Sequence, residues 1–408
     1  MSTRIVIAGG GMVAGYAAKA LIELGLAPGD LTIVSADSVL PYERPPLSKT
    51  FLTGKDSAEA IRINPEDFYR DHGIGTCLQV SVTGLDARRK ALSLSSGEEL
   101  RFDSLVLATG SRAARLKIPG AELPNILYLR SLADAQAIRA RMGEARRAVV
   151  IGGGFIAMEV SSVLAQSQIE TTMVLPDERV WKRVFTPEMS ESFESYFASR
   201  GVRFVKMAKV QSFRGDHAVS AAILGDGREL ACDTVVAGVG AIPVTEYLQG
   251  SGLEPDNGIR VDEFLETSAS GIFAAGDIAN YPDLIFGKRR RVEHWDNAVS
   301  QAQHCARVLS GGREPFRHVP YFFSDVFDLS YEYWGDSEGF DEVVYRGDLA
   351  GVSWSAWWLQ RGVVVAGFVM GRPNEEREAA PRWIESRQRV SRDALRSEST
   401  PIDAAVKA

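Results

Sequence analysis

The stretch RIVIAGGGMVAGYAAKAL, residues 4–21, sets a β-branched run against three glycines and an alanine-rich continuation. Residues 4–8 read as a strand, about 13–24 as a helix and 31–35 as a second strand. Between strand and helix, Gly9, Gly11 and Ala14 fit G-x-G-x-x-G/A. In that pattern the first glycine makes the tight turn and the second lets a pyrophosphate approach the backbone. The small sixth residue lets the helix pack on the sheet, and the helix N-terminus meets the phosphates. A single match is as readily a bare strand–helix turn. Here the same grammar returns 143 positions later in RAVVIGGGFIA, residues 147–157, with Gly152, Gly154 and Ala157 in the matching places. A strand at 148–151, a helix at about 155–165 and a strand at 171–175 complete the copy. An internal duplication of a βαβ unit is the economical reading.

Two such sites imply two dinucleotides, a flavin and a nicotinamide. An acidic residue near the end of each second strand takes the adenosine ribose hydroxyls. In the first unit that residue is Asp37; in the second the usual position holds Leu175, and the nearest acids are Asp177 and Glu178, just past Pro176. A 2′-phosphate ~4 Å from such a carboxylate loses nearly a thousandfold in affinity at an effective dielectric of ~20. Arg179 and Lys182 oppose that effect locally, so NADH is favoured and NADPH stays open.

Composition sets the remaining bounds. With 408 residues, 45% apolar and 24% charged, the chain reads as a soluble globular protein of two or three domains. A formal net charge of −7 counts against general nucleic-acid binding. The N-terminal region carries no secretion signal and no run long enough to span a bilayer, so the expected location is cytoplasmic, away from membranes. Cys77, Cys232 and Cys305 lie far apart with no C-x-x-C, which argues against a local redox disulfide and a cysteine-rich metal site. They read as buried or half-buried thiols. The five histidines lack ligand spacing, and no metal is expected.

Other segments mark out the architecture. PYERPPLSK, residues 41–49, holds three prolines, each fixing φ and lacking an N–H, and reads as a stiff extended rail. It carries Tyr42, Glu43, Arg44, Ser48 and Lys49 at set positions. Asn64 with Pro65, and Thr186 with Pro187, read as cap and first residue of two helices. SLVLATG, residues 104–110, is an apolar strand closing on Thr109 and Gly110, and short strands fall within 233–240 and 271–277. Residues 321–358 hold 12 aromatics, and alternation at 343–345, 352–358 and 363–369 reads as a separate antiparallel sheet. After Arg372 come a charged helix and a polar tail that reads as surface or disordered.

PYERPPLSK, VLATG, GGGFIAMEV, FAAGD and RVEHWDNA, in this order, resemble the flavin-dependent pyridine-nucleotide oxidoreductases that lack a redox disulfide. The resemblance spans about residues 4–371 and reaches ferredoxin reductases, monodehydroascorbate reductase and apoptosis-inducing-factor-like proteins. It implies an α/β fold with two Rossmann-like dinucleotide-binding domains, arranged as in glutathione reductase, plus a C-terminal α+β interface domain. Residues 1–114 and 243–318 form the expected FAD domain and 115–242, ending near Gly240, the NAD(P)H domain. The interface domain covers 319–385 and the polar tail 386–408. By the same resemblance Asp277 meets the ribityl chain and the Trp295 N–H points at the pyrimidine oxygen. The rail lies along the flavin, with Arg44 near the pyrophosphate and Lys49 near the ring nitrogen that accepts hydride. Lys49 and its partner Glu159 are thus the candidate catalytic residues: the cation stabilises charge as hydride arrives, and the carboxylate holds the cation in place. Tyr321, Phe322 and Phe323 are candidates for an aromatic face toward the flavin, or for plain core.

Hydride transfer needs stacked cofactors and excluded water rather than a nucleophile, and the sequence offers no motif of a nucleophilic triad. The expected electron acceptor is ferredoxin or another small acceptor, for a monomer or homodimer, and GKRRR (residues 287–291) is a basic run that suits an acidic iron–sulfur protein. Monodehydroascorbate reductase ranks second, because relatives have Ser-Arg where Ser324–Asp325 stands, and an anionic radical is repelled by that acid. A slow NADH-sensing interaction protein is the third reading.

Overall fold

In the computed structural model, which describes residues 4–407, Ile5–Ala8 is buried along its whole length. It pairs in parallel with Leu31–Val34 on one side and Ser104–Leu107 on the other. Gly75–Cys77 and Ile272–Ala274 complete the sheet at its two edges. Continuous apolar strands of this kind suit a parallel sheet covered on both faces. The second copy repeats the plan: Arg147–Ile151 lies between Glu170–Val174 and Thr234–Ala237, with Val202–Val205 and Ile126–Leu127 at the edges. Each copy also carries a three-stranded antiparallel insert, at residues 82–101 in the first and 210–231 in the second.

The chain divides into two units. One comprises residues up to Pro45, Ser57–Arg112 and Ala241–Pro320; the other comprises Pro46–Asp56, Ala113–Gly240 and everything from Tyr321 onward. The rail thus changes unit between its adjacent prolines. Pro46–Asp56 joins the second unit because Ser48 and Lys49 bind Glu159, and Arg139 lies over the Phe51 ring. Nor is the rail extended throughout, as its prolines suggested: Pro45–Ser48 is a 3₁₀ turn. The first turn of a helix tolerates proline, since its N–H groups have no internal partner anyway. Asn64 is not a helix cap. The helix is Glu66–Asp71 with Pro65 before it, and the buried Asn64 amide donates instead to Gly15 O at 2.9 Å. Thr186 does cap Pro187–Ser199, accepting from the Met189 N–H.

The aromatic-rich segment forms a five-stranded antiparallel sheet in the order Tyr321–Val326, Leu329–Gly335, Val363–Met370, Trp354–Gln360, Glu342–Gly347. It belongs to the same unit as the second βαβ copy. Phe155 meets Phe322 at 4.5 Å, and Trp181, Phe185 and Phe193 surround Tyr331. The helix Asn374–Glu385 covers another part of the sheet, with Trp383 5.2 Å from Trp357.

The tail beyond residue 386 is folded, against its reading as surface or disorder. Val390 and Val406 form a bridge, Arg392–Arg396 is helical, and Leu395, Ile402 and Ala405 are buried. The buried Arg346 guanidinium, neutralised by Glu376 at 2.9 Å, donates to the carbonyls of Leu395, Ser397 and Thr400. One internal cation gathers a segment whose own composition is polar. Among the described residues no helix is long and apolar enough to cross a membrane.

Candidate functional site

In the first unit, Gly9 has φ +128°, and a Cβ there would lie 2.1 Å from the Ala108 carbonyl oxygen. Only glycine fits that turn. The helix Met12–Glu23 follows, with no side-chain cap and no acid in its first turn. Its N-terminal N–H groups and positive dipole end therefore face no competing anion of their own helix. Arg44 comes close beside: its guanidinium would be 3.7 Å from a Cβ on Gly11. Ala14 is fully buried under the turn. Asp37 accepts from Tyr42 OH at 2.9 Å, and the Arg44 guanidinium lies 5.5 Å from the centre of the Tyr42 ring. Asp37, Tyr42, Arg44 and the glycine turn thus form one linked group. Its donors and carboxylate fit a dinucleotide pyrophosphate and adenosine ribose.

Farther along that unit, Ser111 donates to Asp277 Oδ2 at 2.6 Å and Arg291 donates to the Asp277 carbonyl at 2.9 Å. Thr109 Oγ1 donates to Val244 O at 3.0 Å, and Gly110 turns at φ +65°. Trp295 opens the helix Trp295–Leu309, and its indole N–H donates to Glu43 at 2.6 Å. Tyr16 OH donates to the same carboxylate at 2.5 Å, and burial followed by this bond pushes the phenol well up. Glu43, a rail residue without a sequence role, therefore latches the rail to the helices that carry the glycine turn and Trp295.

The second unit repeats the first cradle. Gly152 has φ +127°, and a Cβ would sit 2.3 Å from Gly238 O. A Cβ on Gly154 would meet nothing within 4 Å, which leaves room for a ligand at the uncapped start of the helix Phe155–Gln166. Gly240, φ +114°, is open in the same sense. The predicted acids are not free carboxylates. Glu178 pairs with Arg179 at 2.7 Å and Lys182 at 2.8 Å, and Lys182 also reaches Asp177 at 3.8 Å. The Lys182 hydrogen bond foremost holds the Glu178 carboxyl below its usual range. Two acids and two cations cancel, so the thousandfold bias against a 2′-phosphate is strongly reduced.

The same unit brings Lys49 and Glu159 together, 110 residues apart in sequence, at 2.7 Å. Their side chains are 12% and 5% exposed, so neither ion is solvated in the ordinary way. Glu159 also accepts from Ser48 Oγ and, at 2.6 Å, from Ser324 Oγ. Four lone-pair positions are available to a carboxylate, and three are filled. The Phe323 ring lies 5.6 Å from Lys49 Nζ. Phe322 is core instead, stacked on Tyr333 at 4.9 Å, and Tyr321 donates its hydroxyl to Glu332.

Sequence reasoning assigned no role to Glu43, Ser48 and Ser111, and a different one to Arg291 and Ser324. Only the first two had a visible signal, as polar residues on an otherwise stiff segment. GKRRR is neither a free docking run nor a plain solvated loop in its arginines. Arg289 donates to the carbonyls of Val261 and Asn280, Arg290 pairs with the buried Asp283, and Arg291 serves Asp277 and Glu293. These guanidiniums, each half-buried, are tied to partners within their own unit. All three cysteines are free thiols.

The family profile for pyridine nucleotide-disulphide oxidoreductases matches residues 3–302, and the Reductase C-terminal profile matches 321–406. Among curated proteins, a peroxisomal monodehydroascorbate reductase of Arabidopsis thaliana is 36% identical over 95% of this chain and 83% of its own length. The Pisum sativum monodehydroascorbate reductase is 36% identical over 93% of each. Among solved structures, a ferredoxin reductase from Rhodopseudomonas palustris superposes with TM-score 0.95 at 33% identity, covering 99% of this chain and all of that one. Putidaredoxin reductase, solved in a covalent complex with putidaredoxin, gives TM-score 0.94 at 33% identity over 98% and 97%. The chain belongs to the pyridine nucleotide-disulphide oxidoreductase family, as one of its FAD- and NAD(P)H-dependent flavoprotein reductases.

Proposed function

We propose that this protein oxidises NADH with bound FAD and passes the electrons singly to a ferredoxin-type acceptor. The buried Lys49–Glu159 pair carries the proposal. A desolvated ammonium held in one orientation is costly to build, and it is worth that cost where negative charge develops. FAD, when bound, accepts hydride and releases electrons one at a time. In the first unit, Gly9, Gly11, Arg44 and the start of Met12–Glu23 would hold its pyrophosphate, Asp37 the adenosine ribose, and Asp277 a hydroxyl of the ribityl chain. Trp295 presents its backbone N–H, and Glu43 fixes the angle of the rail. Gly152, Gly154 and Gly240 accommodate the nicotinamide dinucleotide, with Asp177 and Glu178 toward its adenosine ribose. Lys49, oriented by Glu159, would stabilise the negative charge that hydride brings to the bound cofactor. No pair of cysteines stands ready to relay the electrons, so they leave directly. The cell compartment proposed is the cytoplasm.

The ferredoxin reading rests on the two solved relatives and on Asp325, an acid beside Ser324 that an anionic radical would avoid. The curated relatives favour a second acceptor, the monodehydroascorbate radical. Anaerobic reduction by NADH and then NADPH, followed by a panel of acceptors, separates the two. A kcat/KM for a two-iron ferredoxin well above that for the ascorbate radical supports the proposal. The reverse order assigns the second reading, and slow turnover with an oligomer shift on adding NADH points to a sensor instead.

A further inference from the structure

Ser324 belongs to no glycine turn and to no carboxylate–lysine pair, yet it is completely buried and donates to the same Glu159 oxygen that Lys49 contacts. Its strand, Tyr321–Val326, is the first of the C-terminal sheet; Glu159 lies on the helix Phe155–Gln166 and Lys49 on the rail. The backbone at Ser324 is fixed. It pairs with Tyr331 across the hairpin, and Tyr331 sits in an aromatic cluster with Trp181, Phe185, Phe193 and Phe368. The adjacent Phe323 presents its ring to the Lys49 ammonium. A carboxylate held only by a lysine on a four-carbon stem retains rotamer freedom, and so does the lysine. Two hydroxyls from rigid backbone remove that freedom. Hydrogen bonds to an ionised carboxylate are also shorter and stronger than neutral ones, so they hold it in one place.

We propose that Ser324 is a positioning residue for hydride transfer: with Ser48 it locks the Glu159 carboxylate, and through it the Lys49 cation, in the orientation that stabilises the reduced cofactor. The C-terminal sheet thereby contributes to the chemistry without touching the reacting atoms. The proposal rests on the role given above to Lys49, and the experiment separates the two.

The FAD-loaded wild type, Lys49→Met, Ser324→Ala and Ser324→Thr are compared by stopped-flow bleaching with NADH and by spectroelectrochemical titration of the flavin midpoint potential. Ser324→Ala is expected to slow bleaching at saturating NADH about tenfold, with the NADH dissociation constant within twofold of wild type. The potential should fall by about 30 mV, the equivalent of tenfold for a two-electron couple. Ser324→Thr, which keeps the hydroxyl, should return both values toward wild type. A purely structural serine would lower the melting temperature and leave the potential in place; an unchanged potential and bleaching rate in Ser324→Ala overturn the proposal. If Ser324→Ala does not fold, Ser324→Cys replaces it, with the same shape and a weak donor. It must show a loss in the same direction, and wild-type values overturn the proposal equally. Wild-type behaviour of Lys49→Met removes the underlying role of Lys49, whatever Ser324 does.

Discussion

Replacing Lys49 and Glu159 singly and together tests whether they work as one unit. At 2.7 Å, with side chains 12% and 5% exposed, the two charges attract by about 6 kcal/mol at an effective dielectric of ~20, before desolvation is subtracted. Removing one partner orphans a buried charge, typically at a cost of about 3–5 kcal/mol. There is a ceiling, because an orphan can escape by changing its protonation. At pH 7, protonating an ordinary glutamate costs about 4 kcal/mol and deprotonating an ordinary lysine about 5 kcal/mol. Lys49→Met and Glu159→Gln should therefore each destabilise the second unit by about 3 kcal/mol. The double variant, which leaves no orphan, should cost no more than either single. The coupling energy is then about 3 kcal/mol. Urea unfolding of the FAD-loaded protein, followed by tryptophan fluorescence, reads the relevant region, because six of the seven tryptophans lie in the unit that holds the pair. Additive single effects, with coupling below about 0.5 kcal/mol, would refute the reasoning.

Three further outcomes follow from particular groups. Burial pushes the Cys232 and Cys305 thiols up to about 12, whereas Cys77 is half-buried, so maleimide should label Cys77 alone in the native protein and leave NADH-driven turnover intact. Mass spectrometry before and after unfolding checks the labelling; loss of turnover would show that Cys77 lies in the path of the reaction. Because Glu178 is paired with Arg179 and Lys182, the preference for NADH in kcat/KM should be nearer tenfold than a thousandfold, and Lys182→Ala should widen it; no change in the ratio would count against the charge argument. Burial foremost, with the Arg307 charge second, lowers His304 from 6.5 to about 4. Between those values the unfolded chain binds a proton that the folded chain does not, so stability drops as pH falls from about 6.5 toward 4. His304→Phe should flatten that part of the pH–stability curve, and an unaltered slope would assign it elsewhere.

The duplicated βαβ plan was legible because its signals are local: a glycine at φ +128° or +127°, a β-branched run before it, a helix after it. The pairing of Lys49 with Glu159 was legible only through the resemblance, since 110 residues separate them. What stayed hidden was set by contacts across still longer intervals. Glu43 meets Trp295 over 252 residues and Glu159 meets Ser324 over 165. Neither serine nor glutamate at those positions departs from ordinary usage. The tail misled for a related reason: its anchor is Arg346, outside the tail. GKRRR shows the same limit, because a dense charge run says nothing about carbonyls and acids waiting for it elsewhere in the chain.

With its three cysteines all free thiols, the chain should store electrons on its nicotinamide-fed flavin alone. Anaerobic titration of the FAD-loaded protein with NADH, followed at the yellow absorbance band, tests it directly. Bleaching complete at about one equivalent of NADH per flavin, with full colour restored by a one-electron acceptor, is the predicted result. A requirement for two equivalents, which a disulfide taking up a second electron pair would impose, or a flavin that neither NADH nor NADPH bleaches, would contradict it.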